Sequence, residues 1–98
     1  MDYEARFKDM GMKKVRKKIV VKNKLGLHAR PAALFVQTAN KFDSHIVVEK
    51  DNERVNGKSI MGILTLGAER GSSIIIEAEG EDADTAMSDL ERLVGSDG

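Results

Sequence analysis

The stretch "HIVVEKDNERVN", residues His45–Asn56, decides the fold because it predicts a β-hairpin in the middle of the chain. Its two halves, "HIVVEK" and "ERVN", are short runs bounded by turn residues, which is typical of strands. Asp51 and Asn52 stand between them, and both residue types favour tight turns. The segments on either side of this hairpin then decide the architecture.

Two further strands are predicted, one on each side of the hairpin. "VRKKIVVK" (residues 15–22) places apolar residues on one face and basic residues on the other, as a half-buried strand does. "SSIIIEAE" (residues 72–79) alternates in the same way. Because each strand has one apolar face, we expect helices to cover one side of a mostly antiparallel sheet.

Helical spacing marks three segments between and after the strands. "ARPAALFVQTANKF" (residues 29–42) and "EDADTAMSDLERLVG" (residues 81–95) each carry an apolar stripe. Ser59 as an N-cap and Gly67 as a stop predict one or two helical turns between them. The element order is therefore βαββαβα, which predicts an α+β fold.

The composition excludes several classes of protein. Lys plus Arg and Asp plus Glu each total 16 of the 98 residues, whereas a nucleic-acid binder carries a marked basic excess. The absence of cysteine excludes disulfides, thiolate chemistry and cysteine-ligated metals. No apolar run approaches the roughly 18–20 residues that span a membrane. We expect a flexible extension over residues 1–14 and one cytoplasmic domain over residues 15–98, binding neither nucleic acid nor membrane.

His28 lies in "GLHARPAALFV", two residues after Gly26 and directly before a predicted helix. The unpaired N–H groups and partial positive charge of a helix N-terminus favour phosphate. The same field disfavours the protonated imidazole, and the neutral ring is the nucleophile. Arg30 can offer guanidinium donors to phosphate oxygens. His28 could therefore accept a phosphoryl group, although a histidine that only caps the helix or lies on the surface fits these residues too.

The second candidate segment is "VNGKSIMGILTLG", residues 55–67. Its "GKS" is not a phosphate-binding loop, because such a loop needs a glycine where this chain has Asn52. Ser59 is either a plain N-cap or a serine open to phosphorylation, since the helix dipole favours a phosphate there. The pattern leaves open whether three apolar residues of this short helix are buried or form an exposed docking patch. They are Ile60, Met61 and Leu64.

Together, "GLHARPAALFV" and "NGKSIMGILTLGAERG" resemble the active-site and regulatory signatures of the HPr family. The similarity runs from about residue 15 to residue 94. HPr proteins are the histidine-containing phosphocarriers of the bacterial phosphoenolpyruvate–sugar phosphotransferase system. The resemblance implies an HPr-like open-faced β-sandwich, with three helices on one face of a four-stranded antiparallel sheet. It also implies a protein that is no enzyme but is itself the phosphohistidine intermediate, with no cofactor and no metal.

The resemblance assigns roles to individual residues. His28 would take the phosphoryl group on Nδ1 from phosphorylated enzyme I and pass it to an enzyme IIA domain. Arg30 would stabilise that group, and the amides of Ala29 and Arg30 would cradle it. Ser59 would be the substrate of an ATP-dependent HPr kinase/phosphorylase. The docking patch for partners would comprise Ala33, Ile60, Met61 and Leu64.

Two departures from the family pattern stand out. The extension over residues 1–14 is longer than the family needs, and Leu25 stands where well-studied members often have a small or polar residue. The chain keeps the histidine that serine-only paralogues replace, so phosphotransfer remains open to it. The leading hypothesis is a monomeric phosphocarrier serving sugar uptake. The alternative is a regulatory paralogue of the nitrogen-branch type that controls partner proteins.

Overall fold

The computed structural model describes residues 13–24 and 26–96, and its elements follow one another in the predicted order βαββαβα. The seven elements are β1 (Lys13–Val20), α1 (Ala29–Ala39), β2 (His45–Lys50), β3 (Glu53–Asn56), α2 (Ile60–Leu66), β4 (Ser73–Gly80) and α3 (Ala83–Gly95). β1 starts at Lys13, two residues before the predicted strand and inside the predicted extension. Residues 1–12 of that extension lie outside the described residues.

All four strands form one antiparallel sheet in the order β1-β4-β2-β3. β4 is therefore a central strand, although it is the last strand in the sequence. In the β1–β4 pairing Ile19 faces Ile74, and in the β2–β4 pairing Val48 faces Ile76. These register partners point their side chains to the same face of the sheet, which is the face that the helices cover.

The hairpin between β2 and β3 closes through Asp51 and Asn52, as predicted. Both residues have positive φ values, 51° and 70°. Two consecutive residues in the left-handed region are typical of the two-residue turns that match strand twist. Apart from glycine, Asp and Asn are the residue types that tolerate this region best. The turn thereby fixes the register in which Glu49 faces Arg54.

One hydrophobic core lies between the sheet and the three helices, where the predicted apolar stripes meet. Phe35 of α1, Ile63 of α2 and Leu90 of α3 are all fully buried. The strands contribute the alternate positions that the sequence pattern assigns to one face, including the fully buried Ile76. Packing of all three helices on a single face leaves the opposite face of the sheet open.

Charged side chains occupy that open face and pair across the strands. Arg16 and Arg54 donate to the two oxygens of Glu77 at 3.0 Å and 3.2 Å, and Arg54 also reaches Glu49 at 3.0 Å. Partial burial opposes ionisation of Glu77. The hydrogen bonds from both arginines and the nearby charge of Lys14 outweigh it and hold the pKa of this carboxyl below its ordinary value.

Asp82 at the start of α3 ties that helix to the segment before β2. Its carboxylate accepts hydrogen bonds from the amides of Asp43 (2.9 Å) and Ser44 (3.0 Å) and from the Ser44 hydroxyl. The bonds from the Ser44 hydroxyl and the Asp43 amide hold the pKa of Asp82 below its ordinary value. Ser44 is the one buried polar residue among those described, and this contact satisfies it.

Candidate functional site

His28 is the N-cap residue of α1, as its position before the predicted helix indicated. Its backbone is extended (φ −95°, ψ −166°), and its carbonyl accepts the first helical hydrogen bond from the amide of Ala32 at 2.7 Å. Its side chain makes no capping hydrogen bond. The backbone N–H groups in the first turn of α1 can therefore donate to another group, unlike those of a helix capped by serine or aspartate.

The backbone around Gly26 holds His28 in this place. Gly26 has a φ of 65°, and an added Cβ would lie 2.6 Å from the carbonyl oxygen of Ala68. The next residue, Leu27, is buried, and its amide donates to that same oxygen at 2.8 Å. Pro31 follows in the first turn of α1, where proline is favoured. The chain thus enters the helix along the segment that contains Ala68.

Glu69 lies next to Ala68, and its Oε1 lies 3.1 Å from Nε2 of His28. The side chains of both residues are partly open to solvent, with exposed fractions of 49% for His28 and 73% for Glu69. Glu69 was not predicted from the sequence. Since 41 residues separate it from His28, no local periodicity could have indicated the contact.

Arg30 lies in the first turn of α1 and is exposed, as is Ala29. Within residues 13–24 and 26–96, the Arg30 guanidinium forms no ion pair. An arginine without a carboxylate partner can bind an incoming anion without first breaking a bond. His28 and Arg30 thus both lie at the start of α1, and their joint binding of a phosphoryl group stays a prediction.

Ser59 is the N-cap of α2, as predicted. Its Oγ accepts a hydrogen bond from the Gly62 amide at 3.1 Å, and Gly67 closes the helix in the left-handed conformation. The hydroxyl is partly buried while it makes this bond. The capping role is therefore observed, and phosphorylation of Ser59 remains a prediction.

The apolar residues of α2 divide between core and surface. Ile63 and Leu66 are buried, whereas Met61 is 69% exposed and Ile60 and Leu64 are each 38% exposed. α1 packs beside α2 and adds the half-buried Ala33, which was predicted, and Leu34, which was not and is 47% exposed. The apolar patch is defined here as Ala33, Leu34, Ile60, Met61 and Leu64. Exposure of large apolar side chains so close together is typical of docking surfaces.

Other functional features are few in the part of the chain that the structure describes. Within it, no three acidic or histidine residues are grouped so that they could hold a metal ion. None of its helices is both long and apolar enough to cross a bilayer. Leu25, which departs from the family pattern, lies outside the described residues.

A family model described as the PTS HPr component phosphorylation site matches residues 15–96. The chain belongs to the HPr family. The crystal structure of the phosphocarrier protein HPr from Bacillus anthracis is 52% identical to it, with a TM-score of 0.81. That match covers 83% of this chain and 96% of the Bacillus anthracis chain. The open-faced fold predicted from the sequence is thereby confirmed, and the chain is a member of a family of phosphocarriers.

HPr-like proteins named Crh resemble this chain at a sequence identity similar to that of the Bacillus anthracis HPr. The HPr-like protein Crh of Halalkalibacterium halodurans is 54% identical over 76 residues, which cover 78% of this chain and 90% of the relative. A crystal structure of Crh from Bacillus subtilis, the catabolite repression protein, is 48% identical with a TM-score of 0.67. The match covers 82% of this chain and 92% of the Crh chain, and that structure is a swapped, intertwined dimer. The expected monomer therefore remains a prediction.

Proposed function

We propose that the protein is a phosphocarrier that accepts a phosphoryl group on His28 from phosphorylated enzyme I and delivers it to an enzyme IIA domain. One observation carries this proposal above the others. The His28 imidazole lies at a helix N-terminus without capping it, so a phosphoryl group on the ring can meet the free amides that the helix provides. The absence of an ion pair at Arg30 within the described ranges and membership of the HPr family support the same reading.

The transfer needs few groups from the protein. The lone pair of Nδ1 attacks phosphorus, the N–P bond forms, and the bond between phosphorus and the donor atom breaks, its electron pair staying with the donor. The amides of Ala29 and Arg30 and the Arg30 guanidinium would then hold the phosphoryl oxygens. Reversal of these steps on an enzyme IIA domain returns His28 to its starting state. The protein is thus a carrier rather than a catalyst of turnover.

The test of the carrier function is intact-mass spectrometry after incubation with enzyme I and phosphoenolpyruvate. We expect the mass of one phosphoryl group to be added and then lost after brief acid treatment, because N–P bonds are acid-labile whereas serine phosphates are stable. An acid-stable adduct, or no adduct with an enzyme I preparation that phosphorylates another HPr, would contradict the proposal.

Arg30→Ala is expected to slow phosphoryl exchange without affecting the fold. Loss of charge-assisted hydrogen bonds to phosphoryl oxygens predicts a decrease of roughly tenfold to a hundredfold in the transfer rate. Arg30 is exposed, so the melting temperature should barely change. Rapid-quench measurement of transfer from phosphorylated enzyme I checks the rate. Arg30→Lys is the matched control, since it keeps the charge and loses only the planar fork; equal rates for all three proteins would remove Arg30 from the mechanism.

Partner docking would use the apolar patch on α1 and α2. Enzyme I and enzyme IIA domains would share it, because a carrier must present the same histidine to each of them in turn. Exposure of the flexible Met61 suits a surface that meets several partners. Both partners would meet the carrier in the cytoplasm, where we place this protein as a monomer.

A regulatory function is the second candidate, favoured by the 54% identity to an HPr-like Crh protein. In that case Ser59 would be phosphorylated by an ATP-dependent HPr kinase/phosphorylase, and the modified protein would control partner proteins of its own. The phosphate would also add charge next to the apolar patch and weaken docking of enzyme I through repulsion and desolvation. The two functions are compatible in one chain.

Phosphorylation of Ser59 is tested with purified HPr kinase/phosphorylase and ATP. We expect an acid-stable adduct on the protein and none on Ser59→Ala. Because Ser59 caps α2, that variant should lose about 1 kcal/mol of stability, so its fold must be checked by thermal melting. Thr65→Ala is the matched control, since Thr65 is an exposed hydroxyl of the same helix. Labelling of Ser59→Ala to the level of the unmodified protein would exclude Ser59.

A further inference from the structure

The segment between α2 and β4 presents a carboxylate to the distal nitrogen of the His28 ring, and the sequence signatures assign it no role. Oε1 of Glu69 lies 3.1 Å from Nε2 of His28. A carboxylate at this position can only accept a hydrogen bond, so the proton between the two atoms belongs to Nε2. In the neutral ring, a proton on Nε2 leaves the lone pair on Nδ1.

The backbone of this segment is fixed even though the Glu69 side chain is exposed. The Glu69 carbonyl accepts hydrogen bonds from the amide (3.0 Å) and hydroxyl (2.6 Å) of Ser72. Two bonds connect the segment to Val21, from the Gly71 amide at 2.8 Å and to the Ser72 carbonyl at 2.9 Å. The carboxylate therefore projects from an anchored loop rather than from a freely moving one, and such anchoring keeps a positioning group in range of its target.

We infer that Glu69 is a positioning residue for His28: by holding the proton on Nε2 it presents Nδ1 as the nucleophile for phosphoryl transfer. This inference rests on the proposed carrier function. It adds a second segment to the site, since the sequence signatures place Nδ1 chemistry on "GLHARP" alone. The arrangement of a carboxylate, an imidazole N–H and a reactive nitrogen on the opposite side of the ring has the same logic as the carboxylate that orients a catalytic histidine.

The charges of the transfer step give Glu69 a second effect in the same direction. When the Nδ1 lone pair forms the N–P bond, the ring carries a positive charge and its proton stays on Nε2. The carboxylate of Glu69 faces that proton and stabilises the charge. No proton has to move, and the bond between phosphorus and the donor breaks with its electron pair left on the donor. On the return step the positively charged ring is the better leaving group.

Solvent sets the size of the effect in the free protein. With 73% of the Glu69 side chain exposed, the hydrogen bond competes with water. We therefore expect Glu69 to shift the ratio of the two neutral His28 tautomers toward Nε2–H by twofold to fivefold, about the effect of an exposed charged pair. A partner that covers the His28 ring during transfer would exclude water and strengthen the bond. The effect on transfer should therefore exceed the effect on the free ring, at roughly tenfold.

The test measures the ring and the reaction separately in Glu69→Ala. Long-range proton–nitrogen correlation spectra of histidine-labelled protein, recorded well above the range in which histidine titrates, give the ratio of the two neutral tautomers. Rapid-quench kinetics with phosphorylated enzyme I give the transfer rate. Glu81→Ala is the matched control, because Glu81 is also an exposed acid but lies at the opposite end of β4 from Glu69.

The expected result is a smaller Nε2–H fraction and a roughly tenfold lower transfer rate in Glu69→Ala, with Glu81→Ala unchanged in both. An unchanged tautomer ratio in Glu69→Ala overturns the inference, even if transfer slows. A shifted ratio with an unchanged transfer rate also overturns it, because the tautomer would then not limit the reaction. If the unmodified protein takes no phosphoryl group, the proposed function fails, and the tautomer ratio still decides whether Glu69 orients the ring.

Discussion

His28→Ala is expected to abolish phosphoryl uptake from enzyme I and phosphoenolpyruvate while the domain remains folded. The imidazole supplies the only nucleophile of the proposed site, so no partial activity should survive. The structural cost should be within about 0.5 kcal/mol, as for other surface substitutions, because the side chain is 49% exposed and caps no amide. Intact-mass spectrometry measures uptake, and thermal melting checks the fold.

The second histidine of the chain supplies the control for this experiment. His45 is exposed at the start of β2, and His45→Ala should take up one acid-labile phosphoryl group like the unmodified protein. Uptake that survives in His28→Ala and disappears in His45→Ala would mean that His45, and not His28, accepts the phosphoryl group. Uptake in both variants would mean that another residue carries the group.

Gly26→Ala is expected to cause a large loss of stability through a single added methyl group. The residue has a φ of 65°, and the added Cβ would lie 2.6 Å from the Ala68 carbonyl oxygen. Left-handed strain and a clash with backbone together predict a loss of about 2–5 kcal/mol. For a domain of this size, that corresponds to a fall of roughly 10–30 °C in melting temperature.

Gly67→Ala separates the two causes of that loss. Gly67 has a similar φ of 56°, and nothing lies within 4 Å of its added Cβ, so this variant should lose only the strain of about 1–2 kcal/mol. The difference between the two variants, read from denaturant titration, measures the contact between Gly26 and Ala68. Equal losses would mean that the two segments adjust freely to one another, and that His28 is held less firmly than the structure indicates.

The sequence predicted most of the fold because the deciding signals are local. β2 and β3 have the predicted bounds, since Asp51 and Asn52 end one strand and begin the next. Ser59 and Gly67 delimit α2 for the same reason: a cap and a stop act on the residues next to them. β1 begins and ends two residues earlier than the predicted strand over residues 15–22. It begins earlier because Lys13 and Lys14 pair through their backbones with Gly80 and Glu79 and need no apolar side chain to do so.

The candidate site was only partly predictable because it combines distant segments. His28 and Arg30 lie in one local motif and could be found there. Glu69 belongs to the site through a contact over 41 residues, and Leu34 joins the apolar patch only because α1 packs beside α2. For the apolar residues of α2, helical periodicity left burial and exposure open, and tertiary packing decides between them.

The central position of β4 means that a ribosome finishes the proposed phosphoryl-accepting site late. β1 is made first, yet among the described strands it pairs with β4 alone, and the Ala68 and Glu69 backbone that fixes the approach to His28 lies shortly before that strand. A nascent chain whose α1, β2 and β3 have left the ribosome already exposes His28, but it lacks the Ala68 and Glu69 backbone that holds this residue in place. Competence for the proposed transfer should therefore arrive with the last third of the polypeptide, and a truncated translation product should accept phosphoryl groups poorly.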